Sequence, residues 1–123
     1  MKVGDVIAQE VPIVSENEQI RPIIIEISSK RLGATAVLNH TGDLVGIITD
    51  GDLRRMLEKT ADVTNCTAKE IMSINPKTID FEELAINAFD KMEKNKITQL
   101  VVLLNGKYAG MVHIHDILKE GIV

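Results

Sequence analysis

Two short runs carry the side chains that could do chemistry: Gly46-Ile-Ile-Thr49-Asp50-Gly51-Asp52 and Gly110-Met-Val-His113-Ile-His115-Asp116. Each reads as an apolar strand that ends in polar groups where a helix is expected to begin. A helix start presents unpaired N–H groups and a partial positive charge, which suits a phosphate or carboxylate. Thr49 can donate its hydroxyl to a phosphate oxygen, and an ionised Asp52 can accept from two sugar hydroxyls. The simpler alternative is that Thr49 or Asp50 caps the helix and needs no ligand. The two roles do not exclude each other.

The second run keeps Asp116 but places His113 where the first has Thr49 and His115 where it has Gly51. If both histidines stayed extended they would face the same way, as a strand can offer two imidazoles to one metal, with Asp116 as third ligand. Against this, Asp116 falls where a helix starts, and the chain has no separate His/Cys cluster. A ligand pocket accounts for more: His113 can donate or, when protonated, attract an anion, which would make binding sensitive to pH. His115 either contacts that ligand or meets solvent as a capping side chain. Thr35 and Thr98, near the openings of two expected hairpins, could line the same clefts or be ordinary β-branched strand residues. Arg54 and Arg55 are within reach of a phosphate, although successive helix residues diverge and favour only one of them.

Other chemistry finds little support. No serine sits in a Gly-x-Ser-x-Gly setting, and neither a Walker loop nor a GxGxxG run occurs. Glu82, Glu83 and Asp90 read as the polar face of a helix. Cys66 is the single cysteine, so neither an internal disulfide nor a multi-cysteine zinc site can form, which fits a reducing cytoplasm. A net charge of -4 and an aromatic content of 2% argue against nucleic acid as a partner. No apolar run approaches the roughly 20 residues of a membrane span, and no secretory signal is recognisable. The chain is expected to be soluble and cytoplasmic, with neither a metal nor a required cofactor.

The elements that must position these residues repeat. Aligning Val14 with Ile79, Ile27 with Met92 and Leu32 with Ile97 gives a constant offset of about 65 residues. With 123 residues and 45% hydrophobic content, two copies of one unit can share a sizeable core. The expected units are 1–59 and 67–123, joined by a polar linker at 60–66. Ile20, Ile23, Ile24 and Ile27 fall at helical spacing over 19–31, with Pro22 in the first turn. A second helix over 82–95, opened by Asp80 and Glu83 as a capping pair, would bury Ala85, Ala88, Phe89 and Met92. Hairpins follow, one turning at 40–43 and one at Asn105-Gly106, a dipeptide suited to the positive φ angles of a two-residue turn. Thr67-Ala-Lys-Glu70 matches a capping box, and VGDVI is expected to play the same part for the first unit. The fold class is α+β: small sheets, each packed by helices, with internal pseudo-twofold symmetry.

The repeated Gly-apolar-apolar-x-x-x-Asp at the strand-to-helix junctions resembles that of tandem CBS domains, also called a Bateman module. The segments VGIITDGDLRRMLEK, INPKTI, KNKITQLVVL and GMVHIHDILKEGIV are similar to the C-terminal CBS pair of bacterial D-arabinose 5-phosphate isomerases, enzymes of Kdo and lipopolysaccharide synthesis. The resemblance implies two units back to back with clefts between them, a homodimer, and a sensor of a nucleotide or nucleotide-sugar such as CMP-Kdo, AMP or ATP. Thr49, Asp52, His113 and Asp116 would be its ligand contacts, and an oligomerisation module without sensing is the rival reading. His113 departs from the Thr-x-x-Asp nucleotide pattern, a departure that these isomerases share, so unequal half-sites are expected. In that family the isomerase chemistry belongs to an N-terminal sugar isomerase (SIS) domain not included in these residues. Met1 is expected to mark a shortened chain, without isomerase activity of its own.

Overall fold

The computed structural model describes residues 1–8, 11–30, 33–60 and 62–121. Arg31 at the end of the expected first helix, Leu32 of the repeat alignment, Ala61 of the expected linker and the last two residues of the second repeat lie outside the described residues. In chain order the elements are α1 (Val3–Val6), β1 (Ile13–Ser15), α2 (Ile20–Lys30), β2 (Ala34–Leu38), β3 (Leu44–Thr49), α3 (Asp50–Lys59), α4 (Ala68–Ile71), β4 (Thr78–Asp80), α5 (Ala85–Asn95), β5 (Gln99–Leu104), β6 (Lys107–His113) and α6 (Ile114–Lys119). Two three-stranded sheets form, β1-β2-β3 and β4-β5-β6, each with a parallel first pair and an antiparallel hairpin. The α+β repeat read from the sequence is therefore the architecture.

The compact units cut across the sequence repeats. One is continuous, Pro12–Pro76; the other is split, Met1–Val11 together with Lys77–Val123. The short helices cause this. Rather than serving the first repeat, α1 docks on the start of the second: Val3 and Gly4 donate to the carbonyls of Glu83 (2.7 Å) and Phe81 (2.9 Å). Val3 and Val6 are buried beside Ile79, Ala85 and Met92. In turn, the backbone N–H groups of Ala68 and Lys69 donate to Glu18 (2.9 Å) and Glu16 (2.8 Å), and Ala68 enters the core of Ile23, Ile27, Val37 and Ile48. A four-residue helix cannot bury its own apolar face, so each is held by the sheet and helices it joins.

The glycine of the repeated motif permits this docking. A Cβ on Gly46 would stand 2.5 Å from Met72 Sδ and 2.9 Å from the Ser73 carbonyl oxygen, where Ser73 pairs with Ile47 on the edge of β3. Its counterpart Gly110 (φ +146°) would meet Ile7 at 3.0 Å.

One boundary differs from the periodicity. Helix α5 begins at Ala85, with no side-chain cap on Leu84, instead of near residue 82. The Asp80 carboxylate accepts from Glu82 N–H at 2.8 Å and closes a turn, while Glu83 is taken by Leu84 N–H (3.0 Å) and Asn87 (2.8 Å). The expected capping pair is thus diverted into a turn that postpones the helix. Phe89 is half-buried while Ala85, Ala88 and Met92 are buried. The hairpin turn at Asn105 (φ 54°) and Gly106 (φ 77°) has the two positive angles its sequence predicts.

Candidate functional site

In the continuous unit, β3 delivers Thr49 as the N-cap of α3 and Asp52 as its N3 residue. The Asp52 carboxylate is 6% exposed and divides its two oxygens between different tasks. Oδ2 accepts from Thr49 N–H (2.9 Å) and the Thr49 hydroxyl (3.1 Å), while Asp52 N–H donates back to Thr49 Oγ1 at 3.2 Å. Oδ1 instead accepts from the Ser73 hydroxyl at 3.0 Å and from Arg55 Nη2. Capping therefore occupies one oxygen, and the other turns toward residues from elsewhere in the unit.

Those residues border a cavity of about 370 Å³ along α3 and α4. Asp52, Arg55 and Lys59 lie along α3, and Thr60, Cys66, Glu70 and Ser73 complete the polar lining. The volume falls in the range of about 300–1,000 Å³ common to small-molecule sites. Of Arg54 and Arg55, only Arg55 is among the residues lining this cavity. Their guanidinium nitrogens both return to Gly51, 3.8 Å and 3.4 Å from the position a Cβ would take there, with Thr49 Oγ1 at 3.5 Å.

In the split unit the ladder puts His113 opposite Gln99, just as Thr49 is opposite Ala34. β6 ends at His113, so the two histidines do not share an extended face. His113 caps α6, accepting His115 N–H at Nδ1 (3.1 Å), and His115 is the second residue of the helix. Their rings stack, with centroids 4.8 Å apart. Burial pushes the His113 imidazole below its ordinary pKa; His115 adds to the effect and Asp116 partly opposes it. Asp116 accepts His113 N–H at 3.0 Å. Among the described residues no group of three His, Cys, Asp or Glu side chains is placed to hold a metal ion.

Asp116 also borders a cavity of about 420 Å³, with Asp5, Ala8, Lys119 and Glu120. The two cavities correspond through the repeat: Asp52 matches Asp116, Arg55 matches Lys119, Met56 matches Glu120, Glu70 matches Asp5 and Ser73 matches Ala8. Thr35 is fully buried in β2, its hydroxyl donating to the Ala36 carbonyl at 3.2 Å, whereas Thr98 is exposed and donates to Gln99 Oε1 at 2.6 Å. Neither is among the residues lining the two cavities. Sequence reasoning missed Ser73, Lys59 and Glu70, because α4 docks on α3 from the far side of the linker. The only available signal was the position of Ser73, three residues past the Thr67–Glu70 capping box.

Among the described residues no helix is long and apolar enough to cross a membrane. The chain is 47% identical over 89% of its length to arabinose 5-phosphate isomerase KdsD of Francisella tularensis, of which it spans 34%. It is 38% identical over its whole length to the KdsD protein of Pseudomonas aeruginosa, spanning 39% of that protein. The chain thus covers little more than a third of these curated relatives. Among solved structures, the CBS domain pair of protein MJ0100, in complex with 5'-methylthioadenosine and S-adenosyl-L-methionine, is 25% identical with a TM-score of 0.86, covering 100% of this chain and 98% of that one. A CBS domain protein from Pyrobaculum aerophilum complexed with AMP is 20% identical with a TM-score of 0.85 over the whole of both chains; it shares the fold. The CBS domain model matches residues 3–59 and again 68–122. The duplicated strand-to-helix junction and its paired aspartates thus have a family: the chain belongs to the CBS domain family and contains two copies of the domain.

Proposed function

We propose that this CBS pair is the ligand-sensing regulatory part of an arabinose 5-phosphate isomerase, with catalysis in a SIS domain outside these residues and Kdo synthesis as the pathway served. The observation that carries the reading is the divided Asp52 carboxylate: one oxygen is spent on the helix cap, and the other sits among cavity-lining groups. A ribose or other sugar offering two hydroxyls can replace Ser73 and Arg55 at Oδ1 without dismantling the cap. Thr49 and Asp52 then serve one half-site, while His113, His115 and Asp116 stand at the matching junction of an unequal second one. An adenine nucleotide such as AMP, or a nucleotide-sugar such as CMP-Kdo, has the required combination of sugar diol, base and phosphate. The adenosine derivatives bound by the MJ0100 pair support the adenine option.

The test is a thermal-shift titration of the chain with AMP, ATP, CMP and CMP-Kdo, repeated on Asp52→Asn. A ligand at 100 times its Kd stabilises a folded protein by about 2.7 kcal/mol, a readily measured shift. A saturable shift that Asp52→Asn weakens supports sensing; no shift from any of the four at millimolar concentration refutes it. A second reading, a homodimerisation module, draws on Ile24 and Ile25, which are 44% and 58% exposed on α2. Sedimentation of the chain against Ile25→Asp tests it: a dimer that becomes a monomer supports the reading, and a monomeric parent removes it.

A further inference from the structure

The two corresponding cavities occupy the same place in the repeat but differ in charge: one is balanced and the other is net negative. The cavity of the continuous unit is bordered by two cations, Arg55 and Lys59, and two carboxylates, Asp52 and Glu70. Asp52 already has Arg55 as its ion-pair partner. Lys59 stands one turn further along the same face of α3, and among the described residues it makes no ion pair within 4.0 Å. Glu70 faces back to the start of α4, where it accepts from Thr67 N–H (3.2 Å) and the Thr67 hydroxyl (3.1 Å). An anionic group entering beside Lys59 thus meets a cation whose charge is not locally spent, and a base has Met56, Ile71 and Met72 as apolar wall.

The cavity of the split unit has three carboxylates, Asp5, Asp116 and Glu120, against Lys119 alone. Glu120 replaces apolar Met56, and Ala8 replaces the Ser73 hydroxyl. At the offset that pairs Arg55 with Lys119, the residue matching Lys59 is the uncharged Val123. A phosphate entering here would meet one cation, Lys119, outnumbered by three carboxylates.

We infer that the chain binds one phosphorylated ligand, in the continuous unit, with Lys59 receiving the phosphate, and that the cavity of the split unit rejects phosphate monoesters. The inference rests on the ligand-sensing reading for the identity of the ligand, but assigns it a place and a stoichiometry. Cys66 supplies a reporter, because it is the single cysteine, is half-buried and lines only the first of these two cavities.

The experiment combines calorimetric titration of the chain with the rate of Cys66 alkylation by N-ethylmaleimide, followed by mass spectrometry. The probes are AMP, CMP, adenosine and inorganic pyrophosphate. The expected result is one site per chain for AMP or CMP, at least tenfold tighter than adenosine, and at least tenfold slower alkylation at saturation. Lys59→Gln should bring AMP to within about threefold of adenosine while leaving adenosine unchanged. Two equal nucleotide sites, saturable binding that leaves alkylation unaffected, or AMP binding indifferent to Lys59→Gln would each overturn the inference while sensing itself stands. Pyrophosphate protection of Cys66 with no binding of any nucleotide or nucleoside would support the anion-receiving cavity and count against nucleotide sensing. Protection by none of the four probes would overturn the inference.

Discussion

Replacing Asp52 by alanine should cost the protein clearly more stability than replacing Asp116, although both aspartates hold the same N3 position. Asp116 accepts one backbone N–H, that of His113, so its loss removes one capping bond, about 1 kcal/mol. Asp52 accepts the equivalent bond from Thr49 and, in addition, the Thr49 hydroxyl, the Ser73 hydroxyl and Arg55. The Arg55 side chain is 59% exposed and Ser73 is exposed, so each of these ties counts for only about 0.5 kcal/mol after solvent screening. The half-buried Thr49 hydroxyl adds about 0.5–1 kcal/mol. The sum is about 2.5–3 kcal/mol for Asp52→Ala against about 1 kcal/mol for Asp116→Ala. Because the aspartates lie in different compact units, urea melts should be joined by hydrogen exchange, which reads α3 and α6 amides separately. Equal losses, or Asp52→Ala below 1 kcal/mol, would refute the claim that Asp52 fastens α3 to the segment after α4.

Three further outcomes follow from the geometry. His113 can accept at Nδ1 only when neutral, and its pKa lies below the ordinary 6.5 in the folded chain. The unfolded chain therefore takes up the proton first, so stability falls as pH drops below about 6.5 through the folded value; His113→Thr should flatten that slope in acid melts. Gly46→Val should destabilise by about 3 kcal/mol or more, since the new side chain meets the Ser73 backbone as well as Met72, and loss of hydrogen-exchange protection should appear at Ile47 and Ser73. Val3→Ala, at a fully buried site, should cost about 1.5–2.5 kcal/mol and loosen α5 amides while sparing those of α2. Equal loosening of both helices would contradict the placement of α1.

What the sequence made legible was whatever a repeat encodes locally. The isoleucine spacing of α2, the Asn105-Gly106 turn and the polar junctions after β3 and β6 are each decided by neighbours within a few residues. The docking of α1 and α4 was not legible, because a four-residue amphipathic segment does not say which core receives its valines or its alanine. The glycine of the junction motif was visible, but its reason, the close passage of Met72 and Ser73 over β3, needs the third dimension. The same blindness hid Lys59 and Ser73 from the candidate site. Conversely, Thr35 drew notice as a polar strand residue, yet it is sealed in the core with its hydroxyl bonded locally.

The histidine at position 113 ties these strands together. A threonine hydroxyl can accept and donate at once, and Thr49 does both: it takes Asp52 N–H and gives its proton to the Asp52 carboxylate. The Nδ1 of a neutral imidazole that accepts His115 N–H has no proton to give back. The exchange of Thr for His therefore preserves the cap but leaves Asp116 with one fewer donor and subjects the helix start to titration. Duplication retained the backbone of the junction in both units. The side chains differ: in the continuous unit two cations and two carboxylates border the cavity, and in the split unit the cap depends on pH beside a cavity dominated by carboxylates.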